Sequence, residues 1–244
     1  MKTLPKWLIA FSAIAILNAT PATADHHAEA DETADPWADY SAHGTEPFWT
    51  LRITEDRLEF EHSSVLNAAA ERPDSQPAYP GTLFIGQSEN PGTRDFIVLI
   101  NDGVCNDGMA DQVWPHFVRI FVDGGYFHGC GGDSADMLSG AEWRILTISG
   151  EDVPAAVGQT LQFDTEGGIS GYGGCNRYMG SYELGGGIEL GPIASTRRAC
   201  SNPETGHFEN ALLTALGTVY GFDISDSGEL SLLGGDGIAV TAQR

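Results

Sequence analysis

Residues 173–184 read GGCNRYMGSYEL, and the next cysteine after Cys175 closes ASTRRAC at Cys200. Glycines at 171, 173 and 174 permit positive φ or close backbone approach, which suits a bulge or a tight crossing beneath a sheet. GSYEL and GIELGPIAS then read as short strands with glycine turns between them. The character changes at 201–217, SNPETGHFENALLTALG. Asn202 is a candidate N-cap, Pro203 takes the favoured first helical position, and Phe208, Leu212 and Leu216 recur every fourth residue until Gly217. One amphipathic helix is predicted over 203–216, with its apolar stripe on its own sheet. Upstream lie EWRILTISG and TLQFDTEGGISGY, and downstream VYGFDIS, ELSLL and IAVTA, all strand-like.

The first half reads the same way. FWTLRI, RLEFEH, TLFIG, DFIVLIN, FVRIFV and YFHGC are short β-like runs punctuated by Pro, Asn, Asp and Gly. The segment between Val65 and Pro80 is polar and proline-bearing, so a surface loop is expected there. DSADMLSG at 133–140 marks the expected boundary. The predicted class is mostly β (α+β): two small antiparallel β-rich domains, at 43–138 and 139–244, the second with its helix packed on the sheet.

The N-terminus speaks to compartment. Lys2 and Lys6 precede the short apolar run WLIAFSAIAIL, and Ala22-Thr23-Ala24 supplies small residues for cleavage. Residues 1–24 therefore read as a secretory signal peptide, and the protein as periplasmic or secreted. No cysteine follows the run to take a lipid, and no later stretch reaches the ~18 apolar residues of a spanning helix. Residues 25–42, acidic and alanine-rich, read as a flexible lead-in. The formal net charge is −22; the leader holds both lysines and no acid, so its removal leaves −24 with arginine the sole basic residue type. Such a surface repels phosphate backbones and anionic lipid, which argues against nucleic acid or a membrane surface as a partner and suits basic proteins or cations better. The partner expected is an unknown protein or small ligand in the envelope.

The four cysteines fall two to each half, Cys105 with Cys130 and Cys175 with Cys200. An even count in an exported chain points to disulfides. Of three connectivities, these within-half pairs are favoured, each closing a loop worth ~3–4 kcal/mol in the chain-entropy account. Zinc sites want C-x₂₋₄-C and redox sites C-x-x-C, and neither spacing occurs. Cys200, just before a helix N-terminus, is the place where a reactive thiol would sit.

Catalytic signatures fail: GISGY is not G-x-S-x-G, and GYGGCN has neither dinucleotide nor P-loop spacing. The expectation is a protein that is not an enzyme and carries no cofactor. Two metal readings stand beside it. NDGVCNDGMAD gathers Asp102, Asp107 and Asp111 without meeting the calcium-loop pattern, so a solvated acidic turn is expected. Cleavage after Ala24 would leave Asp25-His26-His27 at the start, where the amine, two backbone nitrogens and the His27 imidazole could surround Cu(II) or Ni(II) in a square plane. His116 and His128 sit in aromatic-rich strands and read as packed or hydrogen-bonded.

SGYGGCNRYMGSYELGGGIELGPIASTRRAC followed by ETGHFENALLTAL, behind a strand that opens at Trp143, resembles the META (HslJ-like) domain family. The resemblance covers about 140–243, and its motif positions here are Gly174, Cys175, Asn176, Thr196 and Arg197. It implies an association with envelope and stress phenotypes, with no accepted reaction and no catalytic residues. GTEPFW at 44–49, with VCNDGMAD and the later GC, is similar to a small uncharacterised envelope module found beside such domains. The expected function is a non-catalytic role in envelope stress or homeostasis through binding. The alternatives are an acidic inhibitor or capture module for a basic protein such as a lysozyme, and N-terminal Cu(II)/Ni(II) binding.

Overall fold

The computed structural model describes residues 35–63, 67–92 and 95–244. Residues 35–244 form one compact unit with two antiparallel sheets. The first contains β1 (Asp39–Thr45), β2 (Phe48–Thr54), β3 (Arg57–His62), β4 (Asn67–Glu71), β5 (Gln76–Pro77), β6 (Gly81–Gly86), β7 (Phe96–Cys105), β8 (Trp114–Val122) and β9 (Gly125–Gly131). Its spatial order is β4-β3-β2-β1-β9-β8-β7-β6-β5.

Period-two alternation explains these strands. Trp49, Leu51 and Ile53 of β2, Leu58 and Phe60 of β3, and Val118, Ile120 and Val122 of β8 all face one buried core. Each such side chain contributes ~1.5–3 kcal/mol by leaving water. The sheet curls back on itself: Glu89, beyond β6, donates its backbone N–H to Ala69 on β4, and its carboxylate takes both guanidinium nitrogens of Arg57.

Two sequence expectations fail here. Residues 39–42 belong to β1 rather than to a lead-in, because Tyr40 and Ala42 alternate inward beneath an acidic composition that hides the pattern. Residues 67–71 form β4 rather than loop, with Ala68 and Ala70 buried against the sheet. Alanine's weak strand preference concealed that alternation.

Helix α1 (Ser134–Leu138), capped by the Asp133 carboxylate on the Ala135 N–H, links the two sheets. The second contains β10 (Trp143–Ile148), β11 (Glu151–Asp152), β12 (Thr160–Phe163), β13 (Gly168–Tyr172), β14 (Arg177–Leu184), β15 (Ile188–Leu190), β16 (Ala194–Ser195), and, after helix α2 (Pro203–Leu216), β17 (Val219–Ile224), β18 (Leu230–Gly234) and β19 (Gly237–Gln243). Its main path runs β15-β14-β13-β12-β10-β19-β18-β17, with β11 on β10 and β16 on β14. Helix α2 occupies the range expected from its cap and stripe. Asn202 accepts from the Glu204 N–H, and Phe208, Leu212, Ala215 and Leu216 enter the second core. Gly217 ends the helix in a right-handed conformation, with Thr218 taking up the Ala215 carbonyl.

The edges of this second path meet, since a Cβ on Gly187 would lie 2.4 Å from the Tyr220 carbonyl oxygen. A segment of the first half completes the junction. The Asp111 N–H donates to the Gly186 carbonyl and its own carbonyl accepts from the Phe222 N–H, each at 2.9 Å. Val113, two residues on, is fully buried in the second core, and Val104 packs against it. The residues from Cys105 to Val113 thus strap one sheet to the other.

Val113→Ala should remove ~1.5–3 kcal/mol of stability. Because the strap joins both cores, urea unfolding followed at Trp49 and at Trp143 should shift together; a shift confined to one sheet would show the halves to be independent.

Candidate functional site

The recognisable cysteine stretch folds into a closed polar knot. Both bridges are present, Cys105–Cys130 and Cys175–Cys200, with Cα–Cα separations of 5.6 and 5.7 Å. Asn176, buried between α2 and the strand entry, spends all its hydrogen-bonding capacity. Its Nδ2 donates to Glu209 Oε1 at 2.7 Å and to the Arg198 carbonyl at 3.0 Å. Its Oδ1 accepts from Thr196 Oγ1 and the Arg198 N–H, both at 2.8 Å. Glu209 Oε2 also takes the backbone N–H groups of Asn176 and Cys175, and Arg198 donates to the Cys175 carbonyl.

Gly174 sits at φ +103°, and a Cβ there would meet Val157 at 2.7 Å. Four motif positions, Gly174, Cys175, Asn176 and Thr196, therefore come together. Arg197 does not join them; it is exposed, and its neighbour Arg198 makes the contacts. Glu209, central to the knot, was hidden in the sequence because it lies within an amphipathic helix where a carboxylate reads as surface. Cys175, Cys200 and Glu209 offer ligand atoms within 4.8 Å of one another, but both sulfurs are committed to the bridge.

The knot has no capacity to spare. Asn176→Asp replaces a donor with a carboxylate facing Glu209, so a loss of ~3 kcal/mol or more is expected in denaturant unfolding. A variant as stable as wild type would show the network to be dispensable.

The open chemistry lies elsewhere, in a cavity of about 600 Å³ where the strap, β1, β8 and α1 meet. Trp37, Tyr40, Gln112, Trp114 and Ser134 line it with His116, Leu184 and four carboxylates, those of Asp39, Asp102, Asp133 and Asp136. No arginine among the described residues lines it. Gln112, Tyr40 and Ser134 are 7%, 6% and 5% exposed, and Gln112 Oε1, Tyr40 Oη, Ser134 Oγ and His116 Nδ1 have no hydrogen-bond partner among the described residues. Such atoms cost roughly 1–3 kcal/mol each when left unmet, and native interiors keep few of them. Four of the six found among the described residues belong to side chains that line this cavity, and the four atoms themselves are buried away from it.

Rings of Trp37, Tyr40 and His116 cluster with centroids 5.2–6.0 Å apart. His116 Nε2 lies 3.6 Å from Asp102 Oδ1. Burial pushes the His116 imidazole below its ordinary pKa of 6.5, against the pull of Asp102 and Asp136. Burial and the Asp133 carboxylate push Asp136 up from 3.8, with His116 opposing. Burial, helped by Asp102, raises the Tyr40 phenol, so it stays protonated.

The other cavities differ. One of about 760 Å³ adjoins the Cys105–Cys130 bridge beside Asp107, Arg119, Tyr126 and His128, and none of the unmet atoms belongs to it. Asp107, read in the sequence as part of an acidic turn, is occupied internally, accepting from the Met109 and Ala110 N–H groups and lying 3.4 Å from His43 Nε2. Asp102 lines the seam cavity and Asp111 holds the strap, so the three acids do not converge. Asp25, His26 and His27 lie outside the described residues.

His116 gives the cavity a signature in solution. A folded pKa below 6.5 means stability that is full above 6.5 and lost as pH falls through the folded value. Asp136 works oppositely: its raised pKa stabilises below 3.8 and is lost as pH rises through the folded value. Between pH 7 and 5 the His116 contribution has the sign of acid destabilisation. His116→Gln should therefore flatten the fall in Tm over that window, and parallel curves for the two proteins would contradict the assignment.

Residues 136–244 match the family model described as the META domain. Among curated proteins none matches this sequence. Two similar solved structures are an NMR structure of a protein from Burkholderia xenovorans and a second protein solved by NMR. The first is 31% identical, covering 45% of this chain and 85% of that one, with a TM-score of 0.38. The second is 22% identical, covering 46% and 95%, also with a TM-score of 0.38.

Proposed function

Residues 136–244 being a META domain, we propose that the protein is exported and acts without catalysis, in envelope stress or homeostasis, by binding a ligand in the cavity between its sheets. The observation that carries this reading is the cavity of about 600 Å³, lined by Trp37, Trp114, His116 and four carboxylates. A concave space with aromatic walls and a few placed polar groups has the form of a small-molecule site. Two disulfides agree with an oxidising compartment, and no helix among the described residues is long and apolar enough to cross a membrane.

The test is native mass spectrometry of protein purified from the exported fraction. The expected species begins at Asp25, carries two bridges and retains a small molecule that Trp37→Ala releases. An unprocessed chain, or identical spectra for wild type and variant, would contradict the reading.

Capture of a basic protein has its own support. Ile85, Ile97, Phe121 and Tyr126 stand in register across β6 to β9, and three of the four are exposed on a strongly acidic chain. Salt-sensitive binding of a lysozyme, lost in Phe121→Ser, would favour it; no binding at low salt would end it.

A further inference from the structure

The cavity of about 760 Å³ beside the Cys105–Cys130 bridge stands on the outer face of β8 and β9. Its floor carries Phe117 and Arg119 from β8 with Tyr126 and His128 from β9, and the strand register sets Arg119 opposite His128. The end of β1, at 44–46, forms one wall, and the start of the strap, at 106–109, forms another. The Thr45 hydroxyl donates to the Asp107 carbonyl at 3.4 Å, which ties wall to wall, and the disulfide ties the strap to the floor. The space is therefore largely preformed. Its aromatic and thioether side chains reach solvent, with Phe117, Tyr126 and Met109 43%, 52% and 64% exposed.

Its charge runs against that of the chain. Elsewhere in the same half Arg52, Arg57 and Arg72 each face a carboxylate, those of Asp39, Glu89 and Asp35. Arg119, also exposed, pairs with no carboxylate among the described residues; its Nη1 donates to Asn101 Oδ1 at 2.9 Å. Asn101 Nδ2 donates in turn to the Pro80 carbonyl, also at 2.9 Å, so its amide is fixed with the oxygen toward the guanidinium. A neutral partner thus steadies Arg119 and leaves the edge made by Nε and Nη2, whose two parallel N–H groups match a carboxylate. Of the acids in the lining, Asp107 is turned to the Met109 and Ala110 N–H groups of its own loop, and Glu46 is exposed at the end of β1.

We propose that this cavity binds a small organic carboxylate with an aromatic body. Arg119 takes the carboxylate in two parallel N–H···O bonds, and Phe117, Tyr126 and Met109 cover the ring. The site is separate from the seam cavity and does not rest on it. A chain with this excess of acids attracts cations over most of its surface, so preference for an anion at one place has to come from a local group.

Equilibrium dialysis of the full exported protein with indole-3-propionate at 150 mM NaCl tests it, with the corresponding neutral amide, tryptamine and acetate as comparison probes. The acid should bind at one site per chain, roughly tenfold more tightly than its amide, and acetate more weakly than either. Arg119→Gln should bring the acid to the affinity of the amide, and Tyr126→Ala should weaken acid and amide alike. Arg144→Gln makes the same change of charge at an exposed position of β10 and should leave binding unchanged. Circular dichroism of each variant establishes that it is folded.

Absence of indole-3-propionate binding, equal affinity for acid and amide, or a loss in Arg144→Gln equal to that in Arg119→Gln would overturn the proposal. Acetate bound as tightly as the indole acid would overturn the aromatic class of the ligand. Tryptamine bound more tightly than the acid at a single site, and weakened by Glu46→Gln, would overturn it in favour of a cation site.

Discussion

The structure turns on the nine residues from Cys105 to Val113. The Cys105–Cys130 bridge pins their start to β9, and the Asp111 backbone bonds to both meeting edges of the second sheet. Val113 then enters the second core while Gln112 and Trp114, on either side of it, line the seam cavity. Strand-like alternation over three residues therefore sets core and cavity at once. A chain that lost this strap would lose one wall of the cavity along with part of the contact between the sheets.

The strap also explains why the most recognisable motif and the most open chemistry are in different places. The side-chain donors and acceptors of Asn176 are all paired within the chain, and the Cys175–Cys200 bridge lies beside a smaller cavity of about 260 Å³. Such saturation of one side chain specifies a fold. The seam cavity is more open, with His116 and four carboxylates in its lining.

Much of the architecture was legible in the residues. The Asn202 cap, Pro203 and the four-residue stripe placed α2, and alternation placed β2, β3, β7 and β8, because strong local patterns there agree with the final packing. Strands β1 and β4 escaped notice because Ala42, Ala68 and Ala70 are buried without looking like strand formers. The cavity was not legible at all. Tyr40, Asp102, Gln112, His116 and Ser134 come from separate elements, and each read alone is an ordinary polar or acidic residue. Their meaning arises from long-range pairing, β1 on β9 and β8 on β7, which no local window contains.

The most direct measurement is a high-resolution crystal structure of the protein purified from the exported fraction without added ligand. The account predicts an ordered non-water molecule in the seam cavity, in contact with Trp37 and His116. A cavity holding water alone would contradict it.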